Sequence, residues 1–298
     1  MYFGIAKFIQ DKYAADLYTI IDVTNKPKKF FEEQKIKDFK KTWFYHDHII
    51  KNKKPDLIYL KLIEEKYKIN LWSLAYNERI FYNFNEFYKF NEEEVLSILE
   101  QECRLFENVL DNVKPDFLIM PIPNFHHDHL FYLMCKSKGV KLLILTPSRF
   151  GNRSVISDDA DCIDAPYTPN TNLPERSVEE LQKYLHNHDI VKEVTEVKER
   201  FAQSNFKFLK AALEFLLKKY DNIKTHYTYY GRTKIKVLLH SLKYSPITRY
   251  RERFLNRNSI HEIDKNIPFV FFPMSTEPES TLLLANPFHT NQLEIITQ

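Results

Sequence analysis

The chain has 298 residues and a formal net charge of +3, so it is not an electrostatic nucleic-acid binder as a whole. Its four glycines, Gly4, Gly139, Gly151 and Gly231, lie too far apart for a Walker loop or a dinucleotide fingerprint, which need clustered glycines for close approach to phosphate. Cys103, Cys135 and Cys162 are scattered without a CxxC pair, which argues against a disulfide framework or a cysteine zinc site and fits a reducing compartment.

The N-terminus lacks the charged, apolar and small-residue succession of a signal peptide, and no stretch reaches ~18 apolar residues, so the expected location is the cytoplasm. Residues 17–23 read as a strand, followed by the polar Thr24, Asn25, Lys26 and Pro27. Residues 56–67 read as a helix that begins at Asp56 after Pro55, and residues 69–74 as a further short strand. Asn91 and Glu94 have the spacing of a capping box. Behind them Val95, Ile98, Leu99, Cys103, Phe106, Val109, Leu110 and Val113 recur at helical spacing until Pro115.

Residues 117–120, FLIM, are a short apolar run of the kind found in strands buried on both faces. The loop PIPN follows, then a helix from about His126 to Lys138 that stops at Gly139, and then an apolar strand over 140–145. This strand–helix–strand order predicts two parallel strands. Residues 175–220 read as mainly helical. Residues 231–257 carry eight lysines and arginines against Glu252, and Pro268 precedes another apolar run, FVFF.

Ligands of open parallel sheets bind beyond the carboxyl ends of the strands. Two segments meet that condition, PIPNFHHDH at 121–129 and TPSRFGNRSVISD at 146–158. Asn124 is placed to cap the helix and leave free N–H groups facing an anion, with His126 and His127 beside it. Arg149 and Arg153, with Asn152, offer planar cationic forks and an amide for phosphate or carboxylate. The same histidines can cap the helix, and the arginines can pair with Asp158, Asp159 or Asp161. His126, His127, Asp128 and His129, joined by His46, Asp47 and His48, also admit a metal reading, but the set matches no established ligand spacing and no metal is assigned. A third candidate is FVFFPMSTEPES at 269–280, where Ser275 and Thr276 can bind sugar or phosphate and Glu277 and Glu279 can orient hydroxyls or act as bases. A capped helix N-terminus accounts for the same residues.

The segment FVFFPMSTEPES and its continuation to Asn291 and Gln292 resemble the capsule polysaccharide synthesis protein family, in which such a strand leads to a Pro-Leu-His-x-x-Pro-Glu-like segment and a helix with an Asp-Gln or Asn-Gln pair. Residues 70–79 and SRFGNRSVISDD at 148–159 resemble it as well, while Ser275 replaces the family's usual loop histidine. The resemblance implies an α/β protein of the glycosyltransferase B type. Its Rossmann-like parallel-sheet N-terminal acceptor-side domain would span 1–230. A basic interdomain linker would follow over 231–265, and residues 266–298 would begin a second, incomplete α/β domain for the nucleotide sugar.

The implied activity is sugar transfer from a nucleotide-sugar donor to a glycan or lipid-linked acceptor in capsule or surface polysaccharide biosynthesis, without a cofactor or obligatory metal. The catalytic candidates are then Glu277, Glu279 and His126. The substrate-binding candidates are Asn124, His127, Arg149, Asn152, Arg153, Ser275 and Thr276. As a fragment the chain would be inactive or would retain acceptor binding. Its basic segment would allow peripheral contact with the inner membrane surface, and no nucleic acid is expected. Two alternatives stand beside this reading: a non-catalytic glycan-binding or assembly protein of polysaccharide export, and a metal-dependent hydrolase built on the histidine cluster.

Overall fold

The computed structural model describes residues 2–23, 25–35, 38–76, 78–82, 85–147, 154–160, 177–187 and 226–259, with shorter pieces at 195–196, 199, 210, 213–217, 268, 270 and 294. It is a mixed α/β structure. The described elements run α1 (Tyr2–Lys12), β1 (Tyr18–Ile21), α2 (Asn25–Glu33), β2 (Lys41–Phe44), a 3-10 turn (Tyr45–His48), α3 (Leu57–Tyr67), α4 (Leu71–Tyr76), α5 (Arg79–Tyr82) and α6 (Glu92–Val113). After these come β3 (Phe117–Pro121), α7 (His126–Ser137), β4 (Lys141–Pro147), β5 (Ser154–Ser157), α8 (Val178–Asn187), a 3-10 turn (Tyr227–Tyr229) and α9 (Lys234–Asn258).

The chain divides into two compact units. The first contains Met1–Glu64, Asn70–Leu105 and Lys219–Gln298, and the second contains Glu65–Ile69 and Phe106–Lys218. In the first unit β1 and β2 pair in parallel, from Tyr18 opposite Lys41 to Ile21 opposite Phe44. Parallel strands need a crossover, and α2 lies between the two in the chain. Strand β2 was not among the sequence expectations. Its Trp43 is buried, and so are Tyr45 and Ile49 just after it.

In the second unit β3 and β4 pair in parallel, from Phe117 opposite Lys141 to Pro121 opposite Leu145, with α7 as the crossover between them. Strand β5 pairs antiparallel with β4, so the order is β3-β4-β5. The buried residues of this unit include Met120, Leu130, Met134, Leu142 and Ile144, and the rings of Phe106 and Phe131 meet at 4.8 Å.

The capping box of α6 is complete. The Glu94 N–H donates to Asn91 Oδ1 at 2.9 Å, and the Asn91 N–H donates to Glu94 Oε2 at 3.1 Å. Helix α7 ends as expected at Gly139, whose φ is +73°. The Val140 N–H donates to the Cys135 carbonyl at 3.1 Å and the Gly139 N–H to the Lys136 carbonyl at 3.1 Å, the two bonds of a Schellman motif.

Two expectations are corrected. Residues 69–74 do not form a strand. Asn70 Oδ1 accepts from the Ser73 N–H at 2.8 Å and starts α4, which buries Leu71, Leu74 and Ala75 at helical spacing. The loop expected over 146–158 is in part sheet, because β4 extends to Pro147 and Ser154–Ser157 forms β5. Within the basic segment, Lys234–Asn258 is one helix, and Thr233 Oγ1 caps it by accepting from the Lys236 N–H at 3.3 Å.

Candidate functional site

In the second unit the carboxyl ends of β3 and β4 lie side by side, since Pro121 pairs with Leu145. The turn after β3 delivers the start of α7 to this edge. Asn124 does not cap the helix. The N-cap is Phe125, which has no side-chain cap bond, and the His129 N–H donates to the Phe125 carbonyl at 3.0 Å. The helix begins at His126, which leaves Asn124 exposed one position too early to cap it.

His126 and His127 are both buried, with rings edge to face at 5.3 Å. His127 stacks on Phe125 with centroids 5.6 Å apart, and its Nε2 is 3.7 Å from the Asp128 carboxylate. The described part of this edge thus carries two packed imidazoles and an exposed amide.

Strand β5 returns to the same edge, with Ser154 opposite Pro147. The chain beyond β5 is pinned to α7. Asp159 accepts from Lys136 Nζ at 2.6 Å and from the Tyr132 hydroxyl at 3.1 Å, while the Ala160 N–H donates to that hydroxyl at 3.3 Å. Bonds to Asp159, then to Tyr132, raise the Lys136 pKa and keep it cationic. Arg149, Asn152, Arg153, Ser275, Thr276, Glu277 and Glu279 lie outside the described residues.

The first unit holds a cluster that the sequence reading did not assemble. Asp22 follows β1 directly and His46 stands two residues after β2, so both leave the carboxyl end of a parallel pair. His226, which opens the Tyr227–Tyr229 turn, completes the group. His46 is 2% exposed and its Nε2 touches Asp22 Oδ1, while the Asp22 side chain is 41% exposed. The rings of His46 and His226 stack with centroids 3.3 Å apart. One ligand atom from each of Asp22, His46 and His226 lies within 4.8 Å of the others. The residues given a metal reading alongside His46 in the sequence, Asp47 and His48, are exposed, and Asp47 pairs with Lys28 at 2.6 Å.

Three successive polar residues on α6 hold the chain around His46. The Glu102 carboxylate accepts from the Tyr45 hydroxyl, and that hydroxyl is 3.4 Å from the Tyr227 hydroxyl. Gln101 bonds both backbone groups of Ile50. Glu100 accepts from Lys53 Nζ at 3.1 Å and from the Asp56 N–H at 3.1 Å. On the other side, the Tyr227–Tyr230 segment sits in an aromatic group, with Phe81 5.8 Å from Tyr227, and Phe90 5.9 Å and Tyr88 5.7 Å from Tyr230. Burial first, then the charges of Glu102 and Glu78, raises the Tyr227 pKa well above its ordinary value, and Asp22 acts the same way.

The signals for this cluster were present in part. The rule that sites form at strand carboxyl ends selects Asp22 and His46 once β1 and β2 are paired. Glu102 stood on the apolar face of α6, in line with Ile98 and Phe106. His226 carries no local signal, because the tertiary fold brings it from 180 positions away.

No protein-family profile, no curated protein and no solved structure matches this chain.

Proposed function

We propose that the chain is a glycosyltransferase-like protein of capsule or surface polysaccharide biosynthesis, with a Rossmann-like unit on the acceptor side of sugar transfer. The observation that supports this most is the parallel β3-α7-β4 unit, whose carboxyl edge bears Asn124, His126 and His127 and meets the start of β5. Ligands of parallel α/β sheets bind at such edges. The first unit repeats the arrangement, with Asp22 and His46 at the carboxyl ends of β1 and β2.

Transfer needs a base to accept the proton of the attacking sugar hydroxyl, and cations or N–H groups to stabilise the departing nucleotide phosphate. His126 and His127 at the β3-β4 edge suit the first requirement by residue type. Arg149 and Arg153 suit the second in the same sense. On this reading donor and acceptor are a nucleotide sugar and a glycan or lipid-linked sugar, and α9 supplies a basic surface for peripheral membrane contact.

The test presents a panel of uridine, guanosine, cytidine, adenosine and thymidine nucleotide sugars with oligosaccharide and lipid-linked acceptors. Binding is read by saturation-transfer NMR and product by mass spectrometry. Nucleotide-sugar binding with product formation supports the proposal. Glycan binding with neither donor binding nor product replaces it with a glycan-binding or assembly role, and no binding in either arm overturns it.

A further inference from the structure

We propose that Asp22, His46 and His226 form a binding site for one divalent transition-metal ion of the zinc class. The donor set is two imidazoles and a carboxylate, which suits zinc and its neighbours and is a poor set for magnesium or calcium. An ion with bonds of ~2.0–2.2 Å joins ligand atoms roughly 3–4 Å apart; the three atoms lie within 4.8 Å of one another, so to seat it the touching His46 and Asp22 atoms part and the wider separations close.

A second observation points the same way. His46 is almost fully buried, yet its Nδ1 and Nε2 have no hydrogen-bond partner of acceptable alignment among the described residues. Nε2 faces Asp22 Oδ1 in close contact without that alignment. Two groups that converge in this way, without the line of a donor and an acceptor, match two ligands that face one cation. A buried imidazole nitrogen without a partner is costly, and an ion bound at Nε2 removes the share of that cost that falls on Nε2.

His226 is held in place by Thr228, whose backbone N–H donates to its Nδ1 at 3.3 Å and whose hydroxyl contacts the same nitrogen. Three protein ligands with a partly exposed Asp22 leave an open position, as in sites where a metal binds water or substrate. This inference does not rest on the sugar-transfer reading.

The test titrates Zn²⁺, and separately Co²⁺, into chelator-treated full chain. It is followed by calorimetry and by Co²⁺ visible absorption, with circular dichroism as the check on folding. The expected result is one ion per chain, with affinity reduced at least about tenfold in Asp22→Asn and in His226→Gln, and unchanged in His48→Gln. If His226→Gln does not fold, Asp22→Asn decides, because its carboxylate is partly solvent-exposed and is replaced by an isosteric amide. Absence of stoichiometric binding, wild-type affinity in Asp22→Asn, or equal loss in His48→Gln overturns the assignment.

Discussion

Gln101 holds both backbone polar groups of Ile50: its Oε1 accepts from the Ile50 N–H at 2.8 Å and its Nε2 donates to the Ile50 carbonyl at 3.1 Å. A side-chain amide thus does for this loop what a neighbouring strand does in a sheet, and it fixes the chain four residues after His46. Gln101→Ala removes both partners and leaves part-buried backbone groups unpaired, a loss of about 1–3 kcal/mol. Urea unfolding should give that loss with an unchanged slope, and amide exchange at Ile50 should rise. An unchanged midpoint would mean that the bonds exchange freely with water.

Gln101 also marks how far the sequence could be read. The β3-α7-β4 part of the second unit was legible, because these elements are signalled by apolar runs, a glycine stop and a proline break within one short stretch, whereas β5 was not. The α6 face was legible for the same reason. What escaped was whatever depends on long-range pairing. Lys41–Phe44 is too short to declare itself as a strand before it pairs with β1, and residues 69–74 satisfy apolar-run and helix patterns alike until Asn70 caps the turn. The Asp22, His46 and His226 group follows from those pairings, so it could not be seen without them. The Ser275, Thr276, Glu277 and Glu279 segment lies outside the described residues and stands on the resemblance alone.

Glu100 gives a pH prediction. Burial raises its pKa, but bonds from Arg104, Lys53 and the Asp56 N–H outweigh burial and leave it lowered. A carboxylate lowered in the folded state contributes stability above its ordinary value, and that contribution is lost as pH falls through the folded value. Urea unfolding between pH 7 and pH 3 should therefore show Glu100→Gln less stable by about 1–3 kcal/mol near neutrality, with the two curves converging in acid. Parallel curves across the range would show that Glu100 does not carry the effect.

Gly231 has φ +74°, and a Cβ built there would overlap the Phe87 carbonyl oxygen and come within 2.8 Å of the carbonyl carbon. Neither obstacle is a flexible side-chain end. Gly231→Ala should cost at least about 1–2 kcal/mol from the left-handed backbone alone, before the clash is counted. The turn that ends there carries His226 and Tyr227, so loss of near-ultraviolet circular dichroism from the aromatic group should accompany the lower midpoint. A variant with wild-type stability would place the turn elsewhere.

The thiols of Cys103 and Cys135 are buried, and burial pushes the Cys135 pKa up to about 12. A thiol that does not ionise at neutral pH does not attack disulfide reagents. Of the three cysteines, Cys103 and Cys135 should stay unlabelled by a chromogenic disulfide in native protein and react only after unfolding, as read by peptide mass mapping. Rapid native labelling of either would show that its helix opens.

Helix α9 gathers seven lysines and arginines against Glu252, while Ile235, Leu238, Leu239 and Leu242 are exposed. Among the described residues, no helix is long and apolar enough to cross a membrane. Basic groups near an anionic leaflet contribute about 1 kcal/mol each, and exposed leucines can add shallow burial. Co-sedimentation should therefore show binding to vesicles that contain phosphatidylglycerol and none to pure phosphatidylcholine. Binding should weaken as ionic strength rises, because the attraction falls off within a Debye length of ~8–10 Å at ordinary salt. Replacing Arg249, Arg251 and Arg253 with glutamine leaves the Thr233 cap and the apolar residues in place. If that triple variant binds anionic vesicles as well as the wild type does, α9 is not the membrane-facing surface.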